Sequence, residues 1–186
     1  MTIVLSSTAN NSESIKPKLI IVMGVSGTGK STLAKLLADH FGFRFIDADD
    51  YHSDEAKLRM NSGIPLTDDM RKPWVLSLCG HLRQLSRLKV NCTLAFSGLK
   101  KEHRDKLRDT GFEVIFLFMN GDKAVIRKRM QNRIGHFMPA KLLDSQFDSL
   151  ERPATERDVV AINIDPPLNK VAEEAISIIS QQFIRA

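Results

Sequence analysis

A chain of 186 residues, 42% apolar and 26% charged, suits one domain with a sizeable core and at most a small mobile part. Its net charge of +5 favours an anionic ligand but is too small to demand nucleic acid, and no apolar run reaches the roughly 18 residues of a membrane span. The two cysteines, Cys79 and Cys92, sit in apolar segments without metal spacing, so buried thiols in a reducing compartment are expected rather than a disulfide.

Residues 1–17 are rich in Ser, Asn and Thr and lack the basic start of a signal peptide. They are expected to form a flexible N-terminal arm on a cytoplasmic protein, with 18–186 as the single domain. Leu19 to Met23 is an unbroken apolar run, as in a strand covered on both faces. It ends at Gly24-Val-Ser-Gly-Thr-Gly-Lys-Ser31, a G-x-x-x-x-G-K-S loop. A helix follows with Leu33, Leu36, Leu37 and Phe41 on one stripe and Gly42 as its stop. Strand, glycine-rich turn and helix together are the context in which this loop cradles phosphates. Glycines allow close backbone approach, successive N–H groups form an anion-binding concavity, and the helix adds its positive end. Nucleotide binding is therefore expected from Gly24, Val25, Ser26, Gly27, Thr28, Gly29, Lys30, Ser31 and Thr32. In that scheme Lys30 reaches the β- and γ-phosphates and the Ser31 hydroxyl binds Mg²⁺.

Phe43 to Ile46 reads as a second strand ending in Asp47-Ala-Asp-Asp50. If the strand continued, alternation would put Asp47 and Asp49 on one side. Phosphoryl transfer needs a carboxylate near the metal and a group to orient or deprotonate the acceptor. Asp47 suits the first role and Asp49 the second; the plainer reading makes them turn residues. His52 is either an acceptor ligand or an ordinary surface histidine. A polar helix over Ser53 to Asn61 and a Ser62–Pro65 loop follow.

Thr67-Asp-Asp-Met70 marks a helix start, with Pro73 early enough for its missing N–H to do little harm. Arg71 and Lys72 could hold an anionic acceptor or simply belong to a solvated helix start. Thr93 to Phe96 is a third strand, closed by Ser97-Gly98. Lys100 to Arg108 is a basic helix whose first residues lie near a strand end, while Arg104, Lys106 and Arg108 are expected to be a solvated face. Glu113 to Met119 is a fourth strand, and Asp122 to Asn132 a basic helix. Arg129 and Arg133, four residues apart, share one helix face. They suit a cover that neutralises charge and excludes water, or a solvent-facing basic helix. Gly135 to Pro139 breaks this helix, and Lys141 to Leu150 forms another. Val159 to Ile164 is a fifth strand, and Asp165-Pro-Pro167 turns into a last helix.

Alternating strands and helices imply a parallel sheet with right-handed crossovers, whose ligands bind beyond the strand carboxyl ends. Gly24–Ser31, Asp47–His52, Ser97–Lys100 and Asn120 all follow strand ends and point to one crevice.

Met23-Gly-Val-Ser-Gly-Thr-Gly-Lys-Ser31, Phe45-Ile-Asp-Ala-Asp-Asp-Tyr-His52 and Ser62-Gly-Ile-Pro-Leu-Thr-Asp-Asp-Met-Arg-Lys-Pro-Trp74 together closely resemble the gluconokinases, small P-loop kinases akin to shikimate and adenylate kinases. The resemblance continues through Ser97–Lys101, Arg104-Asp105, Gly135–Phe137, Gln146-Phe147, Leu150-Glu151, Pro153, Glu156–Asp158 and Ile164-Asp165. It implies a five-stranded parallel sheet flanked by helices, with a helical lid at about 133–150. The implied reaction is ATP-dependent phosphorylation of D-gluconate at its 6-hydroxyl, with Mg²⁺ held by Ser31 and Asp47, by a homodimer without nucleic-acid or membrane partners. It also implies Lys30, Asp49 and Arg133 as catalytic residues, and Arg129, Asp165 and Pro166 near the nucleotide. Asp49, His52, Arg71, Ser97, Lys100, Arg104, His136 and Gln146 are implied around the acceptor. Two positions depart from the family pattern: Phe96 before Ser97, and Gly98 where Ala is expected. The alternative is a kinase of the same fold acting on shikimate or a nucleoside monophosphate. A non-enzymatic nucleotide-binding regulator or RNA-binding module would instead use the basic helices.

Overall fold

The computed structural model describes residues 15–131 and 140–184. In chain order these are strand β1 (Lys18–Met23), helix α1 (Lys30–Phe41), β2 (Arg44–Asp47), a 3₁₀ turn (Ala48–Tyr51), α2 (Asp54–Asn61), α3 (Asp68–Arg87) and β3 (Cys92–Phe96). Then follow α4 (Lys101–Arg108), β4 (Glu113–Asn120), α5 (Lys123–Gln131), α6 (Ala140–Ser149), β5 (Val159–Asn163) and α7 (Leu168–Gln182). Among the described residues the strands form one parallel sheet in the order β2-β3-β1-β4-β5. Parallel neighbours need a crossover, and each is supplied by an intervening helical segment.

The sheet separates two cores. In β1, Ile20 and Val22 share a cluster with Leu33, Leu37, Leu117 and Ile179, whereas Leu19 and Ile21 share another with Leu78, Leu82, Leu94 and Phe116. The period-two alternation of a strand produces both sets from one continuous apolar run. The stripe on α1 is Leu33, Ala34, Leu37 and Ala38. Leu36, expected inside, is 40% exposed, because 3.6 residues per turn carries it away from the sheet.

Local signals set the helix ends. Gly42 closes α1 with a φ of 68°, and its N–H donates to the Ala38 carbonyl. The Ser53 and Thr67 hydroxyls accept from the Ala56 and Met70 N–H groups at the starts of α2 and α3. Pro73 lies deeper in α3 than the sequence suggests. It is the sixth residue, beyond the first turn, so the Asp69 carbonyl loses its helical donor. That end of the helix is exposed, where water can satisfy the carbonyl.

Candidate active site

The loop between β1 and α1 is pinned at both ends. The Gly24 N–H donates to the Ser97 carbonyl at 3.1 Å, joining the loop to the end of β3. The Thr28 hydroxyl donates to the Val25 carbonyl at 2.9 Å. Gly29 caps α1 with a φ of 94°, a conformation that favours glycine, and a side chain on Gly27 (φ 83°) would run into Met130 of α5. Lys30 folds back over the loop, its Nζ 3.1 Å from the Val25 carbonyl. Burial pushes the Lys30 ammonium below its ordinary pKa, while Asp49 and Asp47 pull it up.

Opposite the loop, Asp47 ends β2. Its Oδ2 accepts from the Ser31 hydroxyl at 2.7 Å, and its Oδ1 accepts from the Asp49 N–H at 3.0 Å. The strand does not continue to Asp49, so strand alternation does not place the two carboxylates. Asp49 enters through the 3₁₀ turn that Asp47 caps. The Asp49 side chain is open to the cleft, yet the walls remove much of the bulk water around it. That desolvation raises its pKa, opposed by Lys30 and reinforced by Asp47 and Asp50. Lys30, Ser31, Asp47 and Asp49 all line one cavity of about 430 Å³, to which Met60 and Met130 also contribute.

Of the expected acceptor residues, Asp49 is in this lining; His52, Arg71, Ser97, Lys100, Arg104 and Gln146 are not. His52 is a buried residue, not a surface one. Its ring stacks on Trp74 at 4.1 Å and 17°, and Trp74 in turn donates to the Ala48 carbonyl at 2.7 Å. Burial, then Lys57 and Arg71, lower its pKa to about 4, so the imidazole is neutral. Among the described residues its buried Nδ1 has no hydrogen-bond partner, and its Nε2 lies 3.9 Å from Asp49 Oδ1. Arg71 pairs with Asp68 at 2.8 Å and is mostly covered, so it is more than a solvated helix start. Lys100 caps α4 and lies 3.6 Å from Glu151.

Three expectations change on the far side. Arg104 is not on a solvated face: it is 1% exposed, and all its guanidinium N–H groups have protein acceptors in Glu156, Gly98, Leu99 and Glu151. It has no donor left for an acceptor molecule in this arrangement. Arg108 is likewise bound, to Asp158 and Glu156, because four residues on a helix bring it to the same acidic strand entry. Gln146 meets the P-loop instead of an acceptor pocket. Its Oε1 accepts from the Ser26 N–H at 2.6 Å, and its Nε2 donates to the Ser26 hydroxyl at 2.9 Å.

Of the residues expected near a nucleotide, Arg129 donates to the Asp165 carbonyl at 3.2 Å, bringing α5 to the turn that carries Pro166. Asn120 accepts from Arg152 at 3.2 Å and is not part of the described cavity lining. Arg133 and His136 lie outside the described residues. Sequence reasoning missed Met60 and Met130, which carry no motif, and gave no role to Glu151 or Glu156. A buried basic residue in a helix as polar as α4 requires an acidic partner, but nothing in the spacing says which one.

The chain's sequence relations agree with this architecture. A family profile described as AAA domain matches residues 19–153. The chain is 43% identical over 155 residues to the thermosensitive gluconokinase of Escherichia coli K12, covering 83% of each. It is 38% identical to a probable gluconokinase of Rattus norvegicus, covering 84% of this chain and 94% of the other. A crystal structure of a gluconokinase from Sinorhizobium meliloti superposes with a TM-score of 0.81 at 39% identity, covering 89% of this chain and 93% of that one. The APS kinase CysC of Mycobacterium tuberculosis, at 20% identity and a TM-score of 0.59, shares the fold alone. With a phosphate-binding loop, a serine–aspartate pair and an open carboxylate on one cavity, and with relatives of this similarity along most of its length, the chain belongs to the gluconokinase family.

Proposed function

We propose that this chain transfers the γ-phosphoryl group of ATP to the 6-hydroxyl of D-gluconate, giving 6-phospho-D-gluconate and ADP. The observation that carries the reading is the meeting of Lys30, the Ser31–Asp47 pair and Asp49 on one cavity in a member of this family. N–H groups from Gly27 to Thr32 hold the phosphates, and Lys30 neutralises the β- and γ-oxygens. Arg129, Asp165 and Pro166 border the base. Ser31 and Asp47 fit Mg²⁺: a hydroxyl and a carboxylate oxygen 2.7 Å apart are both hard donors. Among the described residues no group of three or more His, Cys, Asp or Glu side chains could hold a metal, so this cation would also need phosphate and water oxygens. When bound, Mg²⁺ supplies charge neutralisation on the phosphates.

Asp49 orients the 6-hydroxyl and takes its proton as the new O–P bond forms and the bond from the bridging oxygen to the γ-phosphorus breaks. Its raised pKa brings its basicity nearer to that task. His52, Arg71, Ser97 and Lys100 bind the polyol and its carboxylate, with the Arg71 fork matched to the latter. Arg133 and His136 belong to the proposed cover by resemblance. The proposed homodimer rests on the same resemblance; no described helix is long and apolar enough to cross a membrane. The family relatives, at 35–43% identity, disfavour shikimate or a nucleoside monophosphate as acceptor.

A coupled assay of ADP release, with Mg²⁺–ATP and a panel of D-gluconate, other sugar acids, shikimate and nucleoside monophosphates, tests the proposal. Strong stimulation by D-gluconate alone is the expected result. Stimulation by another member instead would overturn the acceptor assignment while keeping the kinase. ATP binding without stimulation by any of them would overturn both.

A further inference from the structure

The loop from Ser97 to Lys100 joins the two halves of the proposed site. At one end the Ser97 carbonyl accepts the Gly24 N–H and so touches the phosphate cradle. At the other, Lys100 points its ammonium to Glu151. Between them, the carbonyls of Gly98 and Leu99 turn inward to Arg104, at 2.6 and 3.3 Å from its Nη1. The same guanidinium donates from Nε to both Glu156 oxygens, at 3.2 and 3.0 Å, and from Nη2 to the Glu151 carbonyl at 3.1 Å. Glu151 completes the enclosure, its N–H donating to the Leu99 carbonyl at 2.8 Å and its carboxylate accepting the Lys101 N–H at 2.7 Å.

We propose that Arg104, held by Glu156, is a positioning residue for the acceptor: it fixes the Gly98–Leu99 backbone and thereby sets where Lys100 stands relative to Ser97. The proposal rests on the reading of Ser97 and Lys100 as acceptor residues. A guanidinium this deeply buried costs folding energy unless paired, and the Glu156 carboxylate pairs it in a forked geometry. Its remaining donors go to consecutive carbonyls of one loop and to the segment following α6. Only a planar fork can hold a carboxylate and these carbonyls at once; an ammonium cannot span them. The loop has a glycine in the left-handed region at Gly98 (φ 61°), so its path depends on outside contacts more than a regular element's would.

The test uses the full chain and compares Lys100→Ala, Arg104→Lys and their double variant in steady-state kinetics, with circular dichroism and thermal melts to verify folding. Lys100→Ala reports on the acceptor reading. Arg104→Lys is expected to raise the gluconate KM about tenfold while kcat and the ATP KM stay within about twofold. In the Lys100→Ala background it should add little, because both act through the same contact. If Lys100→Ala raises the gluconate KM and folded Arg104→Lys leaves it unchanged, the positioning role alone is overturned. Full additivity of the two effects also overturns it, as does an equal rise in the KM of both substrates. An unchanged gluconate KM in Lys100→Ala overturns the reading of the loop, and the inference with it. If Arg104→Lys does not fold, Glu156→Gln takes its place, with the same expected split and the same overturning outcomes.

Discussion

Asp49 concentrates the chemistry of the proposed reaction, and its environment makes a two-part expectation. Asp49→Asn should lower kcat by about 10²–10⁴-fold, the usual worth of a general base, with the ATP KM little changed. Unchanged turnover removes Asp49 from the mechanism. Because the base must be ionised and its pKa in the free chain is raised, kcat/KM should climb with pH along an acid limb centred above 3.8, the ordinary aspartate value. A limb at or below that value contradicts the assignment. His52 behaves in the opposite sense, since burial against Trp74 disfavours the imidazolium. Its NMR resonances should titrate at about 4. Titration near 6.5 would show that the ring is not held in the stacked site. Gly98 gives a third expectation at this scale. The family pattern suggests Ala here, but the residue has a φ of 61°, and a Cβ would come within 2.8 Å of Met23 Sδ and 2.9 Å of Met23 Cβ. Gly98→Ala should therefore destabilise by about 1–2 kcal/mol in urea unfolding, from the left-handed backbone alone. No loss would show that the loop relaxes freely. The Gly98 departure is thus coupled to the methionine in the neighbouring strand, a relation no local sequence pattern expresses.

At the level of elements, helices and strands were legible because their signals are local. The apolar runs of β1 and β4, the Gly42 stop and the Thr67 cap each rest on a few adjacent residues. The role of α6 was not legible in this way. It was expected as part of a lid over about 133–150, yet its Leu143 is 1% exposed and belongs to the main core with Val25, Leu99 and Ile126. Asp144 ties it to Lys123 and Arg127 of α5 at 2.8 and 2.6 Å. Gln146 then fastens it to Ser26 by two hydrogen bonds. Gln146→Ala should cost about 1–3 kcal/mol, the net worth of two such bonds, measured by urea denaturation. An unchanged midpoint would mean that α6 is held by its apolar contacts and the Asp144 pairs without help from Gln146.

For the molecule as a whole, an ionic layer formed by Arg104, Arg108, Glu156 and Asp158 links α4 to the entry of β5. Hydrogen bonds from Arg104, then Arg108, hold the Glu156 carboxyl below its ordinary 4.5, with burial opposing. Its folded pKa is depressed, so its stabilising contribution is complete above the unfolded value. It is lost as pH falls from 4.5 through the lower folded value. Unfolding free energy measured on either side of pH 4.5 should fall on the acid side in the native chain and less steeply in Glu156→Gln. Equal slopes would show that this carboxyl contributes no linkage. Arg108 adds to the layer by lying 4.8 Å over the Phe116 ring, coupling the charged layer to the core beneath it.

The sequence alone determined the sheet-and-helix alternation, the phosphate-binding loop and the carboxylates near it, because hydrophobic period, glycine turns and strand ends are encoded within short windows. The resemblance, carried by whole segments, named the reaction. Only the tertiary structure decided that Arg104 is a buried clamp, that Gln146 serves the P-loop, that His52 is neutral and stacked, and that Asp49 reaches the cavity through a 3₁₀ turn. Each depends on a partner that folding brings near or on a local change of backbone. Arg104 and Glu156 are 52 residues apart, and Ser26 and Gln146 are 120 apart. Burial and pairing over such separations are properties of the packed molecule, and they convert a charged or polar residue from solvent-facing to structural without changing any pattern around it.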